Sequence, residues 1–170
     1  MKIKKYLISA MAIFLMGSMV ACQSKPAENK KAEEKKEEKK ISRWQSIMDS
    51  AAKQSKRSIL PKMEMGMGWK EAFSYVKDCD FKLLPYENER GVIPTREILS
   101  KMEAAVKGKK DCSIALCIGP EGGFTKEEVE QAMGEGFLPI SLGKRILRTE
   151  TAAITALSLI MMQLEYATTE

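Results

Sequence analysis

Residues 112–118 form a run of seven without a charge, and Gly119-Pro120-Glu121-Gly122-Gly123 break it at once. A strand that is apolar without alternation needs cover on both faces, which is the condition of a strand inside a parallel sheet flanked by helices. The next residues supply such a helix. Thr125-Lys126-Glu127-Glu128 is a capping box, with the Thr125 hydroxyl placed to accept from the third helical amide and Glu128 placed to reach back. Two further segments repeat the pattern of apolar run, loop and helix. Residues 80–85 carry Phe81, Leu83 and Leu84, end at Pro85, and precede a helical pattern over 95–106 whose inner face is Ile98, Leu99, Met102 and Val106. Residues 138–142 precede a helix from Thr149 to about Ala167 that is apolar nearly all round: Ala152, Ala153, Ile154, Leu157, Leu159, Ile160, Met161 and Leu164. That composition predicts burial on several sides, within the fold and against a second subunit. Upstream, 43–56 reads as an amphipathic helix through Trp44, Ile47, Met48 and Ala51, and 69–76 as another. The alternation implies an α/β fold with a mainly parallel sheet.

The chain of 170 residues contains no histidine, which excludes Ser/His/Asp and Cys/His nucleophile systems and every His-ligated metal site. Cys79, Cys112 and Cys117 have no metal-ligand spacing and read as small apolar residues, so no metal is expected. The net charge of +5 sits at one end: residues 1–40 hold ten Lys and five Glu, whereas 41–170 balance at eighteen basic and eighteen acidic. The domain proper is therefore neutral, and the excess belongs to an address. Lys2, Lys4 and Lys5 precede sixteen uncharged residues, 6–21, too few for an ordinary membrane span and ending in Ser18-Met19-Val20-Ala21-Cys22. Residues 1–22 thus resemble a bacterial lipoprotein signal peptide, with Cys22 the residue to be lipidated and to anchor the chain to a membrane. The bland reading is an apolar helix buried against the domain. Residues 23–40 contain seven Lys, five Glu, one Pro and no large apolar side chain, which predicts a disordered tether, or at most a lone exposed helix held by Glu/Lys pairing.

Ligands of an open parallel sheet sit beyond the carboxyl ends of its strands. The segments to read are therefore Pro85-Tyr86-Glu87, residues 119–124 and residues 142–151. Paired glycines allow close approach of main chain to a ligand and Pro120 stiffens the turn before them, although Gly-Pro-Glu-Gly-Gly alone also suits a plain strand-to-helix turn. In the third segment Arg145, Arg148 and Glu150 crowd a turn between two elements expected to be buried, where an uncompensated charge is costly.

Four fragments in combination carry a resemblance: Ile-Gly-Pro-Glu-Gly-Gly-Phe at 118–124, Ser-Leu-Gly-Lys-Arg-Ile-Leu-Arg-Thr-Glu-Thr-Ala at 141–152, Leu-Leu-Pro-Tyr-Glu at 83–87 and Ala-Ala-Lys-Gln-Ser-Lys-Arg-Ser at 51–58. Over residues 41–170 the chain resembles the catalytic domain of the ribosomal RNA small subunit methyltransferase E family, of the SPOUT superfamily. The resemblance implies a SPOUT-type α/β fold with a C-terminal deep trefoil knot, a homodimer, a cytoplasmic location, and N3-methylation of a uridine in 16S rRNA of the small ribosomal subunit with S-adenosylmethionine. Carried over by position, Leu84, Pro85, Tyr86 and Glu87, then Ile118, Gly119, Pro120, Glu121 and Gly122, then Ser141, Leu142, Gly143, Arg145, Ile146, Leu147 and Arg148 line the cofactor site. Main-chain groups hold the adenosine and methionine parts there, and Ile146 and Leu147 pack around the adenine. Lys144 stands where that loop commonly has proline. Gln54 and Arg57 match positions near the dimer or RNA surface, and as bare residues they also read as solvated helix positions. Family members carry a PUA-like RNA-binding domain ahead of the catalytic one, and here the signal-like segment and tether stand in its place.

A sulfonium carries a methyl group already activated for displacement, so the protein has to align donor and acceptor and remove the uracil N3 proton. Without histidine the base is a carboxylate, water or solvent. Glu121 and Glu150 are the candidates, and Arg148 is placed to stabilise charge on the uracil oxygens. Equally, Arg148 and Glu150 pair with each other and simply hold the loop. The N-terminal pattern supports a reading from another class, an envelope lipoprotein or inactive remnant that keeps the knotted fold as a binding module.

Overall fold

The computed structural model describes residues 27–86, 94–108 and 112–169. The expected signal segment with Cys22, and Glu87 of the expected cofactor site, lie outside the described residues. Among those described, two compact units meet in sequence at Met67 and Gly68.

The first unit is built on α1 (Ala27–Gln54). Residues 27–40 are therefore helical, the exposed-helix alternative that their Glu/Lys spacing left open beside a disordered tether. The cause is propensity: Ala, Glu and Lys are strong helix formers, no Gly or Pro interrupts residues 27–60, and opposite charges stand at i,i+3, as in Glu37/Lys40. The chain then doubles back along this helix. The Gln45 side-chain amide donates to the Pro61 carbonyl at 2.9 Å and accepts from the Met63 N–H at 2.7 Å, and Glu37 accepts from the Gly66 N–H at 3.3 Å.

The second unit runs from Gly68 onward and holds a three-stranded parallel sheet: β1 (Phe81–Pro85), β2 (Ile114–Leu116) and β3 (Leu138–Ile140), in the order β2-β1-β3. Around it lie α2 (Trp69–Tyr75), α3 (Thr95–Gly108), α4 (Lys126–Gly134) and α5 (Thr149–Thr169). The strand expected over 112–118 pairs only at its centre. Ahead of the ladder, side chains replace it: the Ser113 N–H and hydroxyl donate to the Asp80 carboxylate at 2.9 and 3.0 Å, while the Asp80 N–H donates to the Ser113 hydroxyl at 3.1 Å.

Leu83 and Leu84 are both fully buried, and strand alternation sends them to opposite faces of β1. Leu83 joins Ile98, Met102, Ile114, Ile140, Ile160 and Leu164, the layer of α3 and α5, while Leu84 joins Phe73, Ala115, Val129, Ala132 and Phe137, the layer of α2 and α4. Covering both faces is what permits an uncharged strand. Each such leucine contributes about 1.5–3 kcal/mol by burial. The capping box read at Thr125 is present at the start of α4: the Glu128 N–H donates to the Thr125 hydroxyl at 3.2 Å and the Thr125 N–H to the Glu128 carboxylate at 2.9 Å.

Within this chain helix α5 is fully buried along one stripe, Ala156, Ile160, Leu164 and Ala167, and Gln163 of α5 donates to Glu103 of α3. Ile154, Met162 and Tyr166 are exposed, at 68, 54 and 69%. Among the described residues the sheet has three strands, and one helical stripe suffices to cover that side of it.

Candidate functional site

Parallel pairing brings the carboxyl ends of all three strands to one edge, with Leu83 opposite Leu116 and Pro85 opposite Ile140. The exits are then stitched together. The Cys117 N–H donates to the Leu83 carbonyl at 2.9 Å, the Tyr86 N–H to the Ile140 carbonyl at 3.0 Å, and the Ser141 N–H to the Thr95 hydroxyl oxygen at 2.7 Å. Loops 117–124 and 141–148 thus start from fixed points on either side of the β1 exit, the second of them beside Tyr86.

In the first loop the Gly123 N–H donates to the Pro120 carbonyl at 2.9 Å, closing a turn that ends on Gly123 at φ +72°. Gly119 lies against the Phe124 ring so closely that a Cβ there would sit 3.0 Å from a ring carbon. Phe124 in turn packs on Trp69, with ring centroids 6.2 Å apart. In the second loop the Gly143 N–H donates to the Ser141 hydroxyl at 3.2 Å, and Gly143 turns the chain at φ +111°, a conformation that side chains resist. Leu142 packs on the core, Leu147 is half-buried, and Ile146 is 83% exposed.

A free donor set is the main property of this edge. Among the described residues, no hydrogen bond engages the main-chain N–H of Gly119, Glu121 or Gly122, nor those of Leu142, Ile146 and Leu147. Main-chain donors left open on two loops at the same end of the sheet, with the apolar side chains of Leu142, Ile146 and Leu147 on the second, suit a ligand that combines hydrogen-bonding edges with apolar area.

Of the expected cofactor residues, Leu84 is wholly buried against Phe73 and its neighbours, so its side chain is closed to a ligand. Pro85, Tyr86, Ile118, Gly119, Pro120 and Ser141 are half-buried at the edge, and Glu121, Gly122, Arg145 and Arg148 are exposed. The charged turn departs from expectation. Arg145, Arg148 and Glu150 all face solvent, and among the described residues no ion pair joins Arg148 to Glu150. The turn is open, so hydration rather than pairing compensates the charges. Gln54, the last residue of α1, and Arg57 are both exposed and belong to the unit that closes at Met67. Cys117, just behind the first loop, has its thiol pushed up to about 12 by burial, with the Glu128 carboxylate adding to the effect, so it stays protonated and unreactive near neutrality.

Two residues of this edge are given no role of their own by the sequence. Phe124 stands inside the glycine motif, and its aromatic character is the available signal for the close contact with Gly119. Thr95 carries no signal beyond the start of a helix, because its partner lies 46 residues away.

Comparison with known proteins sharpens the picture. Residues 16–161 match the family model described as an RNA methyltransferase domain. A ribosomal RNA small subunit methyltransferase E from Mesomycoplasma hyopneumoniae is 36% identical over 120 residues, 71% of this chain and 48% of the relative. Among solved structures, a ribosomal RNA small subunit methyltransferase E from Neisseria gonorrhoeae bound to S-adenosyl methionine superposes with a TM-score of 0.60 at 31% identity, over 75% of this chain and 49% of the other. A putative methyltransferase from Legionella pneumophila, in complex with the bound cofactor SAM, gives 0.59 at 34% identity over 83% and 51%. The chain spans about half the length of the curated relatives it matches. From these matches, the chain belongs to the ribosomal RNA small subunit methyltransferase E family of RNA methyltransferases.

Proposed function

We propose that the strand-end cradle binds S-adenosylmethionine and that the domain methylates N3 of a uridine in 16S rRNA of the small ribosomal subunit. The observation that carries this reading is the set of unengaged main-chain N–H groups on loops 117–124 and 141–148, which both leave the carboxyl end of the sheet, one on each side of β1. The residues present fit the cofactor: amides for the adenosine and methionine polar groups, and Ile146 and Leu147 for the adenine faces. When bound, the group supplies a methyl on a sulfonium that needs no further activation.

The chain's own residues do the rest. Main-chain groups of Leu84, Pro85, Tyr86, Glu87, Ile118, Gly119, Pro120, Glu121, Gly122, Ser141, Leu142, Gly143 and Arg145 to Arg148 orient the ligand. Glu121 and Glu150 are exposed carboxylates at the rim, free to accept the N3 proton, and the unpaired Arg148 guanidinium is free to stabilise negative charge on the uracil oxygens. Gln54 and Arg57 contact RNA. A deep trefoil knot and a homodimer belong to the same reading. Packing of α5 on α3 and the tie from Thr95 to Ser141 support a closed C-terminal arrangement, and the exposed apolar side chains Ile154, Met162 and Tyr166 of α5 support a second copy of the chain as its cover. A ribosomal substrate places the working protein in the cytoplasm.

The test is incubation of the full chain with methyl-labelled S-adenosylmethionine and small subunits from a strain lacking the modification. N3-methyluridine carrying the label in 16S rRNA is expected. Absence of label despite measurable cofactor binding refutes the substrate, and absence of cofactor binding refutes the cradle.

A further inference from the structure

The entry to loop 141–148 is fixed from two sides. The Ile140 carbonyl, at the end of β3, accepts from the Tyr86 N–H at 3.0 Å. One residue later no strand among the described residues offers a partner, because β3 stands at the end of the order β2-β1-β3. The Ser141 N–H instead donates to the Thr95 hydroxyl oxygen at 2.7 Å. Thr95 opens α3 but does not cap it: the Glu97 and Ile98 N–H groups both donate to the Pro94 carbonyl, at 2.9 and 3.3 Å, which leaves the Thr95 oxygen to the loop. Helix α3 is itself anchored, since Ile98 and Met102 are fully buried against β1, β3 and α5. From Ser141 the restraint passes on, its hydroxyl accepting from the Gly143 N–H at 3.2 Å where the chain turns at φ +111°.

We propose that Thr95 is a positioning residue for the cofactor loop: its hydroxyl oxygen, carried on a buried helix, holds Ser141 and through it aims the free amides of Leu142, Ile146 and Leu147 at the ligand. Thr95 touches no ligand in this scheme. The proposal rests on the reading of 141–148 as a loop that binds an adenosyl sulfonium.

The experiment uses the full chain with Thr95→Val, which keeps shape and removes the acceptor, and Thr95→Ser, which keeps the oxygen. Two quantities are read: amide exchange across 141–148 without ligand, and the calorimetric Kd for S-adenosylmethionine. Thr95→Val is expected to speed exchange of the Ser141 amide about tenfold and to weaken cofactor binding about 5- to 10-fold, the equivalent of one lost hydrogen bond, with Thr95→Ser restoring both. Unchanged exchange and Kd in Thr95→Val overturn the proposal. Should that variant not fold, the unaltered chain decides, since a Ser141 amide exchanging as fast as that of Leu142 overturns it equally. Failure of the unaltered chain to bind cofactor refutes the cofactor reading alone, because the exchange data still report whether Thr95 holds the loop.

Discussion

Adding one methyl group at Gly119 tests the architecture of the first loop. Gly119 has an ordinary backbone, unlike Gly123 and Gly143, so Gly119→Ala changes side-chain packing and not backbone strain. Its Cβ would lie 3.0, 3.1 and 3.3 Å from three carbons of the Phe124 ring, well inside the contact distance of about 3.5–4.0 Å. The ring has little room to retreat. It packs on Trp69, which lies 5.0 Å from Phe73 by ring centroids, and Phe73 lies 5.7 Å from Phe137. Overpacking of this kind costs about 1–3 kcal/mol. In a compact unit of about 100 residues that is a fall in Tm on the order of 5–15 °C, read by differential scanning calorimetry. Phe124→Leu removes the ring edge, and in that background Gly119→Ala is expected to cost less than about 0.5 kcal/mol, so the pair is coupled. Equal losses in both backgrounds, or a Gly119→Ala protein melting within about 1 °C of the parent, would refute the reasoning.

The same geometry sets the outcome of other perturbations. Gly143→Ala meets open space around its Cβ but must adopt φ +111°, so it is expected to cost about 1–3 kcal/mol of loop strain, visible as weaker cofactor binding in calorimetry. Thr125→Ala breaks the capping box of α4 and is expected to lower stability by about 0.5–2 kcal/mol in urea unfolding, with Thr125→Ser largely neutral. The Cys117 thiol ionises near 9.0 when unfolded and at about 12 when folded. Its proton is therefore held more tightly in the native state, and the associated stability is intact below pH 9 and lost as pH rises from 9 toward 12. Cys117→Ala is expected to flatten that alkaline loss in melts scanned by pH, and iodoacetamide at pH 8 to label Cys117 far more slowly in the native chain than in urea.

Local patterns are legible in the sequence where a residue's partner is near in the chain or where burial leaves a composition. The capping box at Thr125, the helix starting at Trp69 and the strand ending at Pro85 are of this kind. Leu83 and Leu84 read as core because both faces of β1 are covered. The sheet order is not legible, since β3 pairs with β1 across more than fifty residues and nothing in Leu138 to Ile140 names that partner. Residues 27–40 read as a disordered tether or an exposed helix, and the sequence leaves the two open because low hydrophobicity argues against a packed core yet says little about helix propensity. At the site, the glycines and the three loops are visible as motifs. The exposure of Arg148 and Glu150 is not, because it depends on how far the turn projects from the sheet edge. Thr95 is invisible for the same reason as the sheet order: its role exists only once α3 and β3 are neighbours.

Chemical-shift mapping of backbone amides during titration of the full chain with S-adenosylmethionine probes the cradle most directly. The amides of Gly119, Glu121, Gly122, Leu142, Ile146 and Leu147 should move together and saturably, while those at the opposite sheet edge, Asp80 and Ser113, stay in place. Saturable shifts that leave both loops untouched, or no shifts at millimolar ligand, would contradict the cradle.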